Sequence, residues 1–196
     1  MAGKKQFDED AVLLQVRELF RHRGYGATSI DDLVRATGLS RSSLYGAYGG
    51  KAELFELVLE RYQDFMVDLL APRAGGSATE RVRAVALGLL DAMEAAGHPG
   101  GCLVTNTFAE SADIPEPIQA SARNALVRQE EQMLGCLTGA ADADRIGDAV
   151  ELRRLARYFV GVRQSVCILW RAGTSRADVE QFIETSLSVL RPPRAA

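Results

Sequence analysis

Apolar residues recur at helical spacing along most of the chain, and no stretch shows the strict alternation of a half-buried strand. Val12, Leu13, Val16, Leu19 and Phe20 form the inner face of a helix predicted over about 8–22. Ile30, Leu33, Val34 and Thr37 lie near one face of a short second helix. Leu39 and Leu44 point back toward it from a third. Leu54, Phe55, Val58, Tyr62, Phe65, Met66 and Leu69 mark a long helix from Lys51 to about Leu70. APRAGGSA, residues 71–78, breaks the pattern, and Ser77 with Glu80 has the spacing of a capping box for a helix ending near Gly97. A further helix begins near Cys102, another follows Asp113-Ile114-Pro115-Glu116 to about Leu137, and GAADADRIGD is a loop. The last two helices are predicted over about 151–172 and 176–190. The fold class is therefore all-α, with about nine helices.

The stretch 26–55, GATSIDDLVRATGLSRSSLYGAYGGKAELF, carries the most specific local chemistry. Thr28 and Ser29 are N-cap types, and Asp32 stands three residues after Ser29 to complete a capping box. Gly38 supplies a left-handed turn, and Ser40 caps the next helix. Arg41, Tyr45 and Tyr48 share one face of that helix, with Ser42 and Ser43 in its first turn. Arginine can fork onto guanine O6 and N7, serine can serve either base, and a tyrosine hydroxyl can donate to a phosphate. Lys51 follows Gly49-Gly50 at the next helix start, where amides and an ammonium suit a phosphate. The pattern is a helix-turn-helix that reads double-stranded DNA. A generic helical hairpin with a solvated polar face is the bland alternative.

This region resembles the TetR/AcrR family of transcription regulators over roughly the first quarter of the chain. The likeness rests on Phe20, Gly24 and Tyr25, on Thr28-Ser29-Ile30, on Ala36-Thr37-Gly38-Leu39-Ser40, on Leu44-Tyr45, and on Lys51 through Leu54-Phe55. It implies that Thr28, Ser29, Tyr45 and Lys51 contact phosphates and that Arg41, Ser42, Ser43 and Gly46 lie nearest the bases. Ala47 stands where many members carry a histidine, which removes one phosphate contact. Asp31 falls at a position that reads DNA in some relatives; a solvent-facing carboxylate that complements the helix dipole is the preferred reading here. Gly101-Cys102-Leu103-Val104-Thr105-Asn106 also looks like the start of the central helix in one branch of the family. The expected organisation is a three-helix DNA-binding domain over residues 1–50 and a larger helical effector-binding and dimerisation domain over 51–196.

Composition narrows the alternatives. A hydrophobic fraction of 47% in 196 residues supports a packed core and excludes a disordered chain. The net charge of -3 excludes a nonspecific nucleic-acid glue, so binding depends on where charge is placed. From Leu33 to Ala52 the charged residues are Arg35, Arg41 and Lys51, all cationic. Lys4 and Lys5 form either a short basic arm or a solvated tail. No apolar run reaches the ~20 residues of a membrane span, and MAGKKQFDED lacks a signal-peptide core. A cytoplasmic protein is expected, with no membrane partner. Cys102, Cys136 and Cys167 are far apart and show no zinc-finger spacing; no metal and no cofactor are expected.

Two predictions concern the larger domain. Leu152, Leu155, Ala156, Phe159, Val160, Val162, Val166, Cys167, Leu169 and Trp170 spread around much of the eighth predicted helix. Val179, Phe182, Ile183, Ser186, Leu187 and Leu190 stripe the ninth. Both helices are expected to pair with their copies as a four-helix bundle in a homodimer. Two recognition helices then read a palindromic operator in successive major grooves. A small-molecule effector, apolar or aromatic, is expected among Tyr62, Met66, Met93, Cys102, Thr105, Asn106, Phe108, Met133, Cys167 and Trp170, although each would serve equally in a core. The leading reading is a ligand-responsive repressor. One alternative is a thiol, electrophile or copper sensor built on Cys102 at a helix N-terminus, against which stands a merely buried thiol. An all-helical enzyme is the remote alternative: His22 and His98 are the only histidines, no nucleophile or nucleotide motif appears, and Glu110, Asp113 and Glu116 suit helix caps better than catalysis.

Overall fold

Capped polar residues and glycines cut the chain into helices close to where the apolar spacing expects them. The computed structural model describes residues 7–69, 71, 75–97, 100–110 and 114–190. Lys4, Lys5, residues 72–74 of the first loop, His98 and Asp113 lie outside the described residues. Among those described there is no strand.

Helix α1 spans Glu9–Arg23 and is capped by Asp8, whose carboxylate accepts from the amides of Asp10 and Ala11 at 3.1 and 3.2 Å. Acids in its first turn and Arg21, His22 and Arg23 in its last complement the helix dipole. Helices α2 (Ile30–Thr37), α3 (Arg41–Tyr48) and α4 (Lys51–Leu69) follow, then α5 (Ala78–Ala95), α6 (Leu103–Ala109) and α7 (Glu116–Thr138). The predicted Ser77–Glu80 box is present: the Ser77 amide donates to Glu80 Oε2 at 2.8 Å and the Glu80 amide to Ser77 Oγ at 3.3 Å. The predicted GAADADRIGD loop contains one extra helical turn, α8 (Ala143–Ile146). Helix α9 runs Ala149–Arg171, starting ahead of expectation because Asp148 caps the amides of Val150 and Glu151, both at 2.9 Å. Helix α10 covers Arg176–Ser186 and tightens into a 3-10 turn over Leu187–Leu190.

The described residues fall into two compact units. The first contains α1 to α3, α4 as far as Asp64, α6, and α7 as far as Arg123. Its core holds Val16, Phe20, Leu33, Leu44, Leu54 and Phe55, each at most 1% exposed. Phe55 sits edge-on to Phe20 and to Tyr25, with ring centroids 4.8 and 5.2 Å apart. Asn106 of α6 donates through Nδ2 to the carbonyl of Arg21 at 3.0 Å. That bond belongs to a packing of α6 on α1 that no single cut in the sequence can express.

The second unit contains the rest of α4 and α7 together with α5 and α8 to α10. Val82, Leu89 and Leu90 of α5 pack with Ala156, Phe159 and Val166 of α9 and Val179 and Ile183 of α10 in one buried core. Ion pairs tie its surface: Arg83 forks onto Glu184 at 2.6 and 2.8 Å, and Arg176 reaches Asp91, Glu94 and Glu180. The residues predicted to force dimerisation are mostly covered within the protomer: Leu152, Leu155, Ala156, Phe159, Val160, Val162, Val166, Cys167, Val179, Ile183, Leu187 and Leu190 are all buried. A different stripe of α9 remains open. Arg154, Tyr158, Gly161 and Ile168 are exposed and Ser165 partly so, at alternating spacings of four and three.

Candidate nucleic-acid interface

Ser29 opens α2 with a full capping box. Its Oγ accepts from the Asp32 amide at 3.1 Å, and Asp32 Oδ2 accepts from the Ser29 amide at 2.9 Å. The Ser29 hydroxyl and amide, helped by Arg35 and Arg23, hold the Asp32 carboxyl well below the usual carboxylate range. Asp32 is thus a fixed anion that ties Arg23 and Arg35 to the start of α2. Gly38 ends the helix at φ 68°, in the left-handed region that an L side chain rarely adopts, and its amide donates to Val34 at 3.0 Å. Ser40 caps α3, accepting from the Ser43 amide at 3.1 Å.

These caps fix which face of α3 turns inward. Leu44 is fully buried, while Arg41, Ser42, Ser43, Tyr45 and Gly46 are exposed. Tyr45 is 46% exposed. A Cβ built on Gly46 would meet nothing within 4 Å, so no neighbour in the fold requires a glycine there. Arg41 Nη2 lies 2.5 Å from Asp31 Oδ1, across the turn on α2, and both side chains are more than half exposed. The solvent-facing reading of Asp31 therefore omitted its partner. Asp31 orients the one arginine of α3 and removes part of its net charge from the surface.

Two of the assigned side chains are buried. Tyr48 does not share the exposed face of Arg41 and Tyr45: it is 7% exposed, with its ring 6.3 Å from that of Phe7. Helix geometry alone returns Tyr48 to within about 20° of Arg41, but at the C-terminal end of α3 its ring is covered by the surrounding fold, with Phe7 beside it. Thr28 is 1% exposed, and its Oγ1 donates to the Gly24 carbonyl at 2.6 Å. Its hydroxyl braces the α1–α2 loop, with its proton committed to that carbonyl.

Lys51 is half-buried at the start of α4, with Nζ 4.1 Å from the centre of the Tyr25 ring. Burial lowers its pKa, and the charge of Glu110 opposes that effect. Glu110 is the residue that the sequence concealed. Its carboxylate accepts from the Tyr25 and Gly26 amides at 3.2 and 2.8 Å, clamping the loop that enters α2. A Cβ on Gly24 would lie 1.9 Å from Glu110 Oε1, so the clamp needs that glycine. No local signal marks a partner 84 residues away.

The ten effector candidates divide between the units. Tyr62, Cys102, Thr105, Asn106 and Phe108 belong to the first; Met66, Met93, Met133, Cys167 and Trp170 belong to the second. Tyr62, Met66, Met93, Met133 and Cys167 are buried, while Thr105, Phe108 and Trp170 are partly exposed. Asn106 already holds the Arg21 carbonyl, which makes it a strut of the first unit. Trp170 lines an open cleft of about 470 Å³ with Glu94, Gly97, Gly173, Thr174, Ser175 and Arg176. The exposed thiolate considered at Cys102 is not present: Cys102 is 2% exposed, and Cys136 and Cys167 are also buried. Burial raises the Cys136 thiol pKa despite the nearby Arg81.

Helices wedged by caps around a left-handed glycine, with a short polar helix turned outward, define a helix-turn-helix DNA-binding regulator. Residues 13–58 match the domain "Bacterial regulatory proteins, tetR family", and residues 78–186 match "Tetracyclin repressor-like, C-terminal domain". The HTH-type transcriptional regulator YezE of Bacillus subtilis (strain 168) is 27% identical over 97% of this chain and 100% of its own length. The HTH-type transcriptional repressor ComR of Escherichia coli (strain K12) is 29% identical over 93% of this chain and 89% of its own. Among solved structures, the fold is similar to that of a regulatory protein TetR from Rhodobacter sphaeroides, with a TM-score of 0.79 at 18% identity over 92% of this chain and 97% of that one. It is also similar to a mutant of the regulator CifR complexed with a 26-bp operator, with a TM-score of 0.80 at 22% identity over 94% of this chain and 97% of that one. The chain belongs to the TetR family of bacterial regulatory proteins. It is a DNA-binding transcriptional regulator.

Proposed function

We propose that this protein is a repressor that grips a palindromic operator as a homodimer and releases it on binding a small molecule. In this reading Arg41, Ser42, Ser43 and Gly46 lie nearest the bases, while Ser29, Tyr45 and Lys51 hold phosphates. The supporting observation is the two-sidedness of α3: Leu44 and Tyr48 are buried, whereas Arg41, Ser42, Ser43, Tyr45 and Gly46 are open. Residues 1–50 read DNA; 51–196 carry the effector site and the dimer seam. The sign of regulation follows the relative ComR, which is a repressor. The described helices include none long and apolar enough to cross a membrane, and a reader of chromosomal operators works in the cytoplasm.

The dimer seam is placed on the open stripe of α9 and on α10. Tyr158 is 43% and Ile168 55% exposed, with Gly161 between them. A Cβ at Gly161 would meet nothing within 4 Å, so the protomer itself has no use for a mid-helix glycine. Such a glycine lowers helix stability by about 1 kcal/mol relative to alanine, and close approach of a second helix accounts for it. DNA and effector must prefer different spacings of the two reading heads, because a ligand shifts an equilibrium only through differential affinity.

Selection of bound sequences from random DNA tests the reading. A recovered palindrome with half-sites about one helical turn apart is the expected result. Lys51→Ala should then weaken binding on every sequence and flatten its dependence on salt by about one unit of slope. Recovery of no preferred sequence by a correctly folded dimer overturns the proposal.

A further inference from the structure

Arg163 sits in the middle of α9, within the second unit, and is 4% exposed. One turn away on either side lie Phe159 and Cys167, both 2% exposed, with Val160 and Val166 also buried. The guanidinium makes one contact, from Nη1 to Gln132 Oε1 at 3.5 Å, the outer limit of a hydrogen bond. Nη2 is sealed from solvent and has no hydrogen-bond partner. Among the described residues no carboxylate lies within ion-pair distance of it.

The rest of the unit treats arginine differently. Arg83, Arg157 and Arg176 each hold acids at 2.6–3.1 Å. Arg81 is also buried, but its Nε donates to the Cys136 carbonyl at 2.7 Å and its Nη1 to that of Gly75 at 3.3 Å. The polar group that meets Arg163 is a neutral amide, that of Gln132. Gln132 is anchored by its nitrogen to the Val67 carbonyl at 3.0 Å, which turns its oxygen toward the arginine. Gln129, 2% exposed, accepts from Gln164 at 2.7 Å. A guanidinium removed from water without an anion is strongly destabilising, and an apolar residue of similar volume would pack there without that penalty.

We propose that Arg163 is the counter-charge for the effector, and that the effector is a small carboxylate carried on an apolar body. A carboxylate can take both terminal nitrogens of a guanidinium in the bidentate geometry that a neutral amide cannot match. Cys167, already a candidate lining residue, stands one turn along the same helix beside the apolar part. This inference rests on the reading of the chain as an effector-responsive regulator, and it adds an acidic head to the apolar or aromatic ligand expected there.

The test uses the whole 196-residue chain with benzoate and octanoate as probes, and benzamide and octanamide as their neutral counterparts. Thermal unfolding and calorimetric titration are read for the wild type, Arg163→Met and Arg163→Lys. At least one carboxylate should raise the wild-type Tm and bind about tenfold or more tightly than its amide. Arg163→Met should erase that preference, and Arg163→Lys should retain part of it. Without ligand, Arg163→Met should melt no lower than the wild type and up to roughly 2 °C or more above it, because an uncompensated buried charge has been removed. Equal binding of acid and amide, silence of both carboxylates, or a clear fall in the ligand-free Tm of Arg163→Met overturns the inference. Wild-type operator binding is measured alongside. A chain that recognises its operator but ignores carboxylates loses only this inference, whereas a chain with no operator loses the proposed function as well.

Discussion

Two arginines on two helices show how differently the units use charge. Arg41 is exposed, and Asp31 holds it at 2.5 Å; Arg163 is buried and has only the edge of a neutral amide. In the first unit the exposed cations Arg23, Arg35 and Arg41 have anions close by: Asp31 for Arg41, Asp32 for Arg23 and Arg35. Such exposed pairs contribute little to stability and can exchange partners when a phosphate or base edge arrives. A surface built this way binds a polyanion by substitution. The second unit holds an interior cation that solvent does not reach, which favours selection of one small anion over attraction of many. Exposure decides whether a charge serves affinity at a surface or discrimination in a site.

The largest effect is expected at the seam that joins two copies of the reading head. Gly161→Glu places bulk and like charge where the partner helix is proposed to cross. Sedimentation should show a folded monomer, and operator affinity should fall about 100-fold or more as the two half-sites cease to be bound together. A dimer that survives Gly161→Glu moves the seam away from this stripe of α9. Next in size is the pair on the DNA face. Arg41→Ala should lose about 1–3 kcal/mol of discrimination at one base position. Asp31→Asn should act in the opposite sense on nonspecific DNA, strengthening it and steepening the salt dependence while narrowing the preference for the operator. Identical behaviour of the two variants in a filter-binding series would show that the pair does not act as inferred.

The capping anion makes a pH prediction. Its folded pKa is depressed, so the stabilisation from Asp32 is complete above its ordinary value near 3.8 and fades as pH falls below that toward the lower folded value. The difference in Tm between wild type and Asp32→Asn should therefore be constant from pH 7 to about 5 and shrink in stronger acid. A difference that grows on acidification contradicts the assignment. The smallest effect belongs to Gly46. Gly46→Ala should stabilise α3 by about 0.5–1 kcal/mol, since nothing in the fold occupies the new methyl's place, while operator affinity drops. A gain in stability with unchanged affinity would remove Gly46 from the DNA face.

Legibility in the sequence followed the range of the interaction. The Ser29–Asp32 box, the Gly38 turn and the Ser40 cap were readable because every partner lies within a few residues and helical geometry fixes the meeting. The burial of Thr28 and Tyr48 was not legible, because a hydroxyl has the same sequence signature whether it is exposed or enclosed. Helical wheels gave Tyr48 a face but not the neighbour, Phe7, that packs against it. For α9, apolar spacing located the helix and its buried side, and overestimated how much of it needed a second chain.

Periodicity, caps and one left-handed glycine were enough to determine an all-helical chain with a helix-turn-helix near its start, since those signals act within a turn or two of helix. Tertiary structure alone decided that Glu110 clamps the amides of Tyr25 and Gly26, that Asn106 braces Arg21, and that Arg163 is enclosed without an acid. Each depends on segments far apart in sequence, and a side chain's charge acquires its function only when the fold settles what surrounds it and how much water remains.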